Sequence, residues 1–149
     1  MDTLFNILHV VSGVFIVGPM AILPMTGLRA IRAGQAGQVA VLAKSVNIFT
    51  LLSVVVVVLG FGALSMSEPE REYSFASTWI WLSIVLYASA LMINLFLVVP
   101  AMHAAAEELS AREGSTVTTK VAGYSRIAMG SGIVALLLVT VVVLMVWRP

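Results

Sequence analysis

The sequence predicts an all-α integral membrane protein built as a four-transmembrane-helix bundle. The 149 residues are 60% hydrophobic and 10% charged, and the mean hydropathy is +1.07. Four long stretches contain no Asp, Glu, Lys or Arg, although every segment between them carries several charges. Each stretch exceeds the roughly 20 apolar residues that a helix needs to cross a hydrocarbon layer about 30 Å thick. The predicted spans are residues 3–28, 46–66, 77–106 and 124–147.

Four spans with short joints occupy the whole chain, so residues 1–149 are expected to form a single membrane domain. No room is left for a water-soluble domain of about 50 residues or more. The absence of cysteine excludes disulfides, thiolate metal sites and thiol nucleophiles, and a net charge of +1 gives no sign of a nucleic-acid partner. Asp2 is acidic and the apolar run continues past Pro24, so a cleaved signal peptide is not expected.

Span one contains two prolines, Pro19 and Pro24, inside its apolar run. Proline lacks an amide donor, so each one frees the backbone carbonyl four residues earlier, which in lipid must be satisfied by neighbouring protein or water. The helix is therefore expected to bend there against protein. Gly34 is the predicted stop, and the small polar run 35–38 is the predicted joint to span two.

Span two contains five consecutive valines, residues 54–58, which in water would favour a strand. In a bilayer an isolated strand leaves its backbone amides unpaired, at several kcal/mol each. That cost exceeds the roughly 0.5 kcal/mol per residue of helix propensity lost. Span two is therefore expected to be a helix.

Span three begins at the capping residues Ser77 and Thr78, and Pro100 is expected to kink its last third. Beyond it the helix is expected to continue into water, with Glu108 and Arg112 paired one turn apart. This helix is expected to end at Gly114, before span four begins.

Six Lys and Arg residues lie in joints one and three, whereas only Arg71 and Arg148 lie on the other side. Because basic loops stay in the cytoplasm, both termini are expected outside and joints one and three inside. Trp79, Trp81 and Trp147 then all fall at the outer interface, where indole rings prefer to lie.

Small and polar residues within spans usually face other helices, because lipid gives no hydrophobic reason for helices to associate. With this topology Asn94 is expected at the depth of Thr50, so the two side chains could share a hydrogen bond. The predicted packing seam consists of Asn6, His9 and Gly13 in span one, Thr50 in span two, Ser83, Tyr87 and Asn94 in span three, and Ala128 and Gly132 in span four.

His9 is the candidate cofactor ligand, since a neutral imidazole can bind haem iron or copper through one nitrogen while the other donates a hydrogen bond. The alternative is an interfacial histidine bonded to a loop carbonyl or to Asn6. His103 is an unsuitable second ligand, because spans one and three run in the same direction and His103 lies near the far end. A separation of about 25 to 30 Å follows. His103 is expected to interact with Glu107 or to lie at the inner interface.

Two further metal hypotheses rest on composition. The eight methionines could suggest Cu(I), but they are scattered along the chain, which favours gap-filling between helices. Glu68, Glu70 and Glu72 could bind a cation or form a solvated acidic loop. No phosphate-binding loop, dinucleotide fingerprint, nucleophile elbow or zinc signature occurs in the sequence.

Residues 8–19 (LHVVSGVFIVGP) resemble the start of a broad group of small four-span membrane proteins. The group includes the copper-resistance D-type domain and the J-type protoporphyrinogen oxidase, whose first span carries a Leu-His pair. The histidine of that pair matches His9, and the resemblance implies haem binding there. The chain has residues 15–18 (FIVG) where those families have a tryptophan and a second glycine.

Over nearly its whole length the chain resembles uncharacterised four-span membrane proteins that are common in actinobacteria. In its length and hydropathy pattern it also resembles an accessory factor of the cytochrome bcc–aa3 respiratory supercomplex. The resemblance implies a non-catalytic accessory subunit of the bacterial plasma membrane, without a cofactor of its own, whose partners are lipids and cytochrome subunits. One alternative is a b-type haem protein or haem-pathway oxidoreductase that uses His9. A second is a small solute transporter, for which Tyr87 and Asn94 offer few polar groups.

Overall fold

The computed structural model describes residues 2–65, 77–112 and 120–147, and this part of the chain is almost entirely helical, with no β-strand. Four helices are long and apolar enough to cross a membrane, which confirms the predicted fold class. The helices are α1 (Thr3–Arg32), α2 (Ala36–Ser65), α3 (Thr78–Ala111) and α4 (Tyr124–Trp147).

Consecutive helices run antiparallel and surround a common core. α1 and α3 each pack against both α2 and α4, so that α1 and α3 lie on one diagonal of the bundle. The basic end of the bundle holds Arg29, Arg32, Lys44, Arg112, Lys120 and Arg126, and the tryptophan end holds Trp79, Trp81 and Trp147.

The joint between α1 and α2 comprises only residues 33–35. Gly34 has a φ of +68°, a backbone conformation that glycine adopts without strain. Its amide donates to the Ile31 carbonyl at 3.1 Å, and the Gln35 amide donates to the Ala30 carbonyl at 3.0 Å, the hydrogen-bond pair that closes many helix C-termini. The predicted stop at Gly34 is confirmed. The predicted joint 35–38 is wrong, because α2 is already helical from Ala36, ten residues before its expected start.

One carboxylate of α3 bonds both to Arg112, at the end of one described segment, and to Ala122, near the start of the next. Glu108 accepts hydrogen bonds from the Arg112 guanidinium and, at 2.8 Å, from the Ala122 amide. The predicted Glu108 to Arg112 pair is therefore confirmed. Other predicted loop features fall on residues outside the described ranges. These are Glu68, Glu70, Arg71, Glu72, Gly114 and Arg148.

α1 and α3 each contain one π-helical turn, Gly13–Val17 and Asn94–Val98. A proline follows each turn at the same offset, at Pro19 and Pro100. In α3 the Val99 amide donates to the Asn94 carbonyl, five residues back. Since proline offers no amide, Pro100 leaves the carbonyl of Phe96, inside this wide turn, without its α-helical donor. The predicted bends thus take the form of π-helical turns, whereas Pro24 lies in a regular α-helix.

The π-helical turn keeps one face of α3 directed at the bundle. Ala90, Asn94, Val98 and Met102 are all fully buried although they are spaced four residues apart. In a regular α-helix a strict four-residue spacing drifts around the helix axis, because one turn takes 3.6 residues. The extra residue in the wide turn offsets that drift.

The buried core is concentrated toward the basic end, where Val39, Val46, Met102 and Ile127 have no exposed surface. A second cluster around Met20 continues it toward the middle of the bundle. Residues 3–19 of α1 contain no buried residue, so the tryptophan end of this helix is the least enclosed part of the described spans.

Candidate functional site

A buried polar group links α2 to α3. The Asn94 side-chain amide donates to the Thr50 hydroxyl at 2.8 Å, and that hydroxyl donates to the Val46 carbonyl at 2.7 Å. Both Asn94 and Thr50 are fully buried. The hydrogen bond expected from the sequence between these two residues is therefore present.

The same group extends one turn further along α2 through Ser53, which is also fully buried. Its hydroxyl lies 2.6 Å from the Thr50 carbonyl and 2.6 Å from the Tyr87 hydroxyl. Because a carbonyl can only accept, Ser53 donates to Thr50, and Tyr87 donates to Ser53. Sequence reasoning missed Ser53, although its position three residues after Thr50 places it on the same helix face.

The second atom of the Asn94 amide, Oδ1, is buried and has no hydrogen-bond partner among the described residues. Leaving a buried acceptor unsatisfied costs about 1 to 3 kcal/mol. This acceptor belongs to the first residue of the π-helical turn in α3, so the polar group and the helix irregularity coincide.

His9 joins α1 to α2 near the tryptophan end. Its Nδ1 lies 2.8 Å from the Val56 carbonyl, so Nδ1 carries the proton and donates. The ring lies against Gly60, where an added Cβ would be 2.8 Å from the ring atom Cε1. Neither expected acceptor, a loop carbonyl or Asn6, is the partner, because the missing side chain of Gly60 lets the imidazole reach the backbone of α2.

Phe5 makes the same kind of contact one turn earlier on α1. Its ring would lie 2.7 Å from a Cβ added to Gly62. Two aromatic rings of α1 thus rest on two glycines of α2, a close packing of ring against backbone that larger residues would prevent.

His103 is exposed near the basic end of α3. The contact of His9 with Val56 and that of Asn94 with Thr50 set the relative heights of the helices. At 1.5 Å per residue, His9 and His103 then lie about 20 Å apart along the bundle axis. The described residues include no cluster of three or more His, Cys, Asp or Glu side chains that could hold a metal ion.

Ser83 is buried and donates to the Trp79 carbonyl at 2.7 Å, and a Cβ on Gly13 would lie 4.0 Å from Val56. Asn6 is exposed, which differs from its predicted inward position. It lies on the open side of α1, away from the contact with α2.

The packing face of α4 also differs from the prediction. Gly132 has no atom within 4 Å of a Cβ added to it, and Ala128 is only half-buried. At Gly130, by contrast, an added Cβ would lie 2.8 Å from Val98 of α3. Small size does not by itself determine which way a residue faces, and the glycine two positions earlier makes the contact. The buried residues of α4 are Ile127, Gly130, Ser131, Val134, Leu138 and Leu144.

The fold and these contacts define a multi-pass, four-helix integral membrane protein in which several polar side chains of the spans bond to neighbouring helices of the same chain. The chain belongs to the DUF2269 family, described as predicted integral membrane proteins, whose sequence profile matches residues 3–149. No curated protein and no solved structure matches the chain.

Proposed function

We propose that this protein is a non-catalytic accessory subunit that packs against a larger complex of the respiratory cytochrome bcc–aa3 type in the bacterial plasma membrane. The observation that carries the proposal is the open face of α1, formed by residues 3–19. This segment packs against α2 on one side and has no buried residue.

The open face is strongly apolar, with Val10 63%, Val14 64% and Phe15 70% exposed. A shallow groove of about 370 Å³ runs along it. Its polar residues, Thr3 and Asn6, lie on the same side of the helix, so a neighbouring transmembrane helix could find both apolar contact and a hydrogen-bond partner there. The groove is lined by Thr3, Asn6, Ile7, Val10 and Val11.

The interior of the spans supports a non-catalytic role. Pumps and proton-coupled transporters place ionisable groups within the bilayer, whereas the charge-free stretches of this chain contain no Asp, Glu, Lys or Arg and only two histidines, His9 and His103. Tyr87, Ser53, Thr50 and Asn94 are joined in one interhelical hydrogen-bonded group. That use of the polar side chains favours helix packing over transport.

Site-specific crosslinking in native membranes tests the proposal. The chain has no cysteine, so one cysteine at Ile7, 54% exposed in the groove, would be the only thiol. Val142, 57% exposed on α4, is the matched control. We expect a membrane-permeant crosslinker to join the Ile7 variant, but not the Val142 variant, to cytochrome subunits identified by mass spectrometry. Recovery of the tagged chain without cytochromes, or equal crosslinking at both positions, would overturn the proposal.

A second candidate function is haem binding at His9, favoured by the hydrogen bond from Nδ1 to Val56. A histidine whose Nδ1 proton is donated to a carbonyl has its lone pair on Nε2 and a fixed ring, as in many ligating histidines. His9 would hold the haem through Nε2, whereas His103 lies too far away to bind the same group. Haem would supply one-electron chemistry to such a site.

An absorbance spectrum separates this candidate from the first. A b-type haem protein should show a Soret band that disappears in the His9→Phe variant, which keeps a ring against Gly60. Absence of the band from protein purified after growth with added haem precursor, or its persistence in the variant, excludes His9 as the ligand.

A further inference from the structure

Two arginines lie one turn apart on α1 at the basic end. Arg29 and Arg32 are both exposed, and the Arg32 guanidinium lies 5.3 Å from the centre of the Tyr124 ring at the start of α4. Residues three apart lie on the same side of a helix, so Arg29 shares with Arg32 the side of α1 that lies beside α4. Among the described residues, neither arginine forms an ion pair.

The carboxylates described at the basic end belong to a different helix from the two arginines. The acidic residues described at the basic end, Glu107 and Glu108, both belong to α3, which lies diagonally opposite α1. Glu108 is held by Arg112 and by the Ala122 amide. Among the described residues, no carboxylate therefore forms an ion pair with Arg29 or Arg32.

The surface of α4 beside these arginines is made of small residues with open space over them. Ser125, Ala128 and Gly132 share one face of α4, next to the face of Tyr124. Ser125 is exposed, and nothing lies within 4 Å of a Cβ added to Gly132. The surface between α1 and α4 thus carries small residues along the span of α4 and two arginines at one end.

We propose that an anionic phospholipid occupies the groove between α1 and α4, with its headgroup phosphate bound by Arg29 and Arg32. Guanidinium groups pair with phosphate oxygens in a bidentate geometry, and arginines at a helix end lie at the depth of the lipid headgroups. An acyl chain then lies along the small-residue face of α4. This groove is separate from the open face of α1 near the tryptophan end, and the two proposals stand independently.

Lipid binding to the full-length chain tests the proposal, with phosphatidylglycerol and phosphatidylcholine added in detergent and bound lipid counted by native mass spectrometry. Each basic residue near a headgroup contributes about 1 kcal/mol, so the double variant Arg29→Gln, Arg32→Gln should bind phosphatidylglycerol about 10- to 30-fold more weakly. The matched control is Lys44→Gln, Lys120→Gln, which removes two exposed charges from the same end. We expect the control to bind like the unmodified chain.

Three further measurements distinguish a specific lipid site from general electrostatic attraction between the basic end and anionic lipid. Arg29→Lys, Arg32→Lys retains charge without the bidentate fork and should lose less than the glutamine variant. Gly132→Leu fills open space, so it should fold with unchanged helicity yet compete with the acyl chain. Inorganic phosphate should not displace the lipid at equal concentration. The proposal fails if the glutamine variant keeps the preference for phosphatidylglycerol, if the lysine control loses as much, or if phosphate alone competes.

Discussion

Asn94 of α3 donates a 2.8 Å hydrogen bond to the hydroxyl of Thr50 on α2, and both side chains are fully buried. The bond ties the π-helical turn of α3 to the middle of α2. It also fixes the relative height of two antiparallel helices at one point, from which the heights of His9 and His103 follow.

The first prediction is a measurable coupling between these two residues. A double-mutant cycle with Thr50→Val and Asn94→Leu should give an interaction free energy of about 0.6 to 1.7 kcal/mol, the range found for hydrogen bonds between transmembrane helices. Reversible unfolding in detergent micelles provides the measurement. Thr140→Val is the control, since Thr140 is exposed and donates only to the Leu136 carbonyl of its own helix. The prediction is wrong if the changes in unfolding free energy caused by the two single substitutions add up to the change in the double variant.

The second prediction compares two glycines on α4. Gly130→Ala places a methyl group 2.8 Å from Val98 and 3.1 Å from Leu97, so α3 and α4 must separate. We expect a loss of about 1 to 3 kcal/mol in the free energy of unfolding, the usual cost of overpacking. Gly132→Ala meets no atom within 4 Å and should be neutral or slightly stabilising, because alanine favours a helix over glycine. Equal effects of the two substitutions would contradict the assigned packing face.

That pair of glycines also shows what the sequence could and could not determine. The number of spans followed from the charge-free stretches, because burying a charge in lipid is costly. Thr50 and Asn94 were matched because antiparallel topology fixes depth. Gly130 and Gly132 flank one serine and have the same hydropathy, so only the three-dimensional packing distinguishes them.

The helix irregularities were predictable to a similar degree. Pro19 and Pro100 indicated bends, since proline removes a backbone donor wherever it occurs in a helix. The form of the bend depends on which later amides can reach the orphaned carbonyls. That depends on the neighbouring helices, so the sequence alone does not distinguish the π-helical turns at these two prolines from the regular helix at Pro24.

The third prediction concerns the contact between His9 and Gly60. Gly60→Ala would place a Cβ 2.8 Å from Cε1 and 3.0 Å from Nδ1 of the imidazole, so the ring must move and lose its hydrogen bond to Val56. Nitrogen NMR of labelled histidine should show the Nδ1-protonated tautomer in the unmodified chain and a changed spectrum in the variant. Gly37→Ala, where nothing lies within 4 Å, is the control on the same helix. An Nε2-protonated ring in the unmodified chain would refute the assignment.

The energetic cost of losing this hydrogen bond should be small. In the His9→Phe variant the ring still covers Gly60, and the Val56 carbonyl keeps the amide donor of its own helix turn. The expected loss in unfolding free energy is therefore about 0.5 to 1.5 kcal/mol, the net value of one hydrogen bond. A loss beyond about 3 kcal/mol would show that His9 contributes more than this contact.

The fourth prediction tests the cause of the π-helical turn in α3. Alanine at position 100 restores an amide donor for the Phe96 carbonyl, so Pro100→Ala should favour a regular α-helix through Asn94–Val98. Loss of the extra residue would rotate the preceding part of α3 by about one residue, roughly 100° and 1.5 Å. Tyr87 would then turn away from Ser53. Because the chain has no native cysteine, spin labels at Ser89 and Leu51, both exposed, can report the change as a distance.

The expected outcome is a shift of several ångströms in the Ser89 to Leu51 distance distribution, since a rotation about the helix axis carries a long label side chain through an arc. Pro24→Ala is the control, because Pro24 lies in a regular α-helical stretch of α1 and its replacement removes no π-helical turn. If Pro100→Ala leaves the distance unchanged, then the interhelical contacts of Asn94, rather than the missing amide of proline, maintain the wide turn. In that case adding Asn94→Leu to Pro100→Ala should produce the shift.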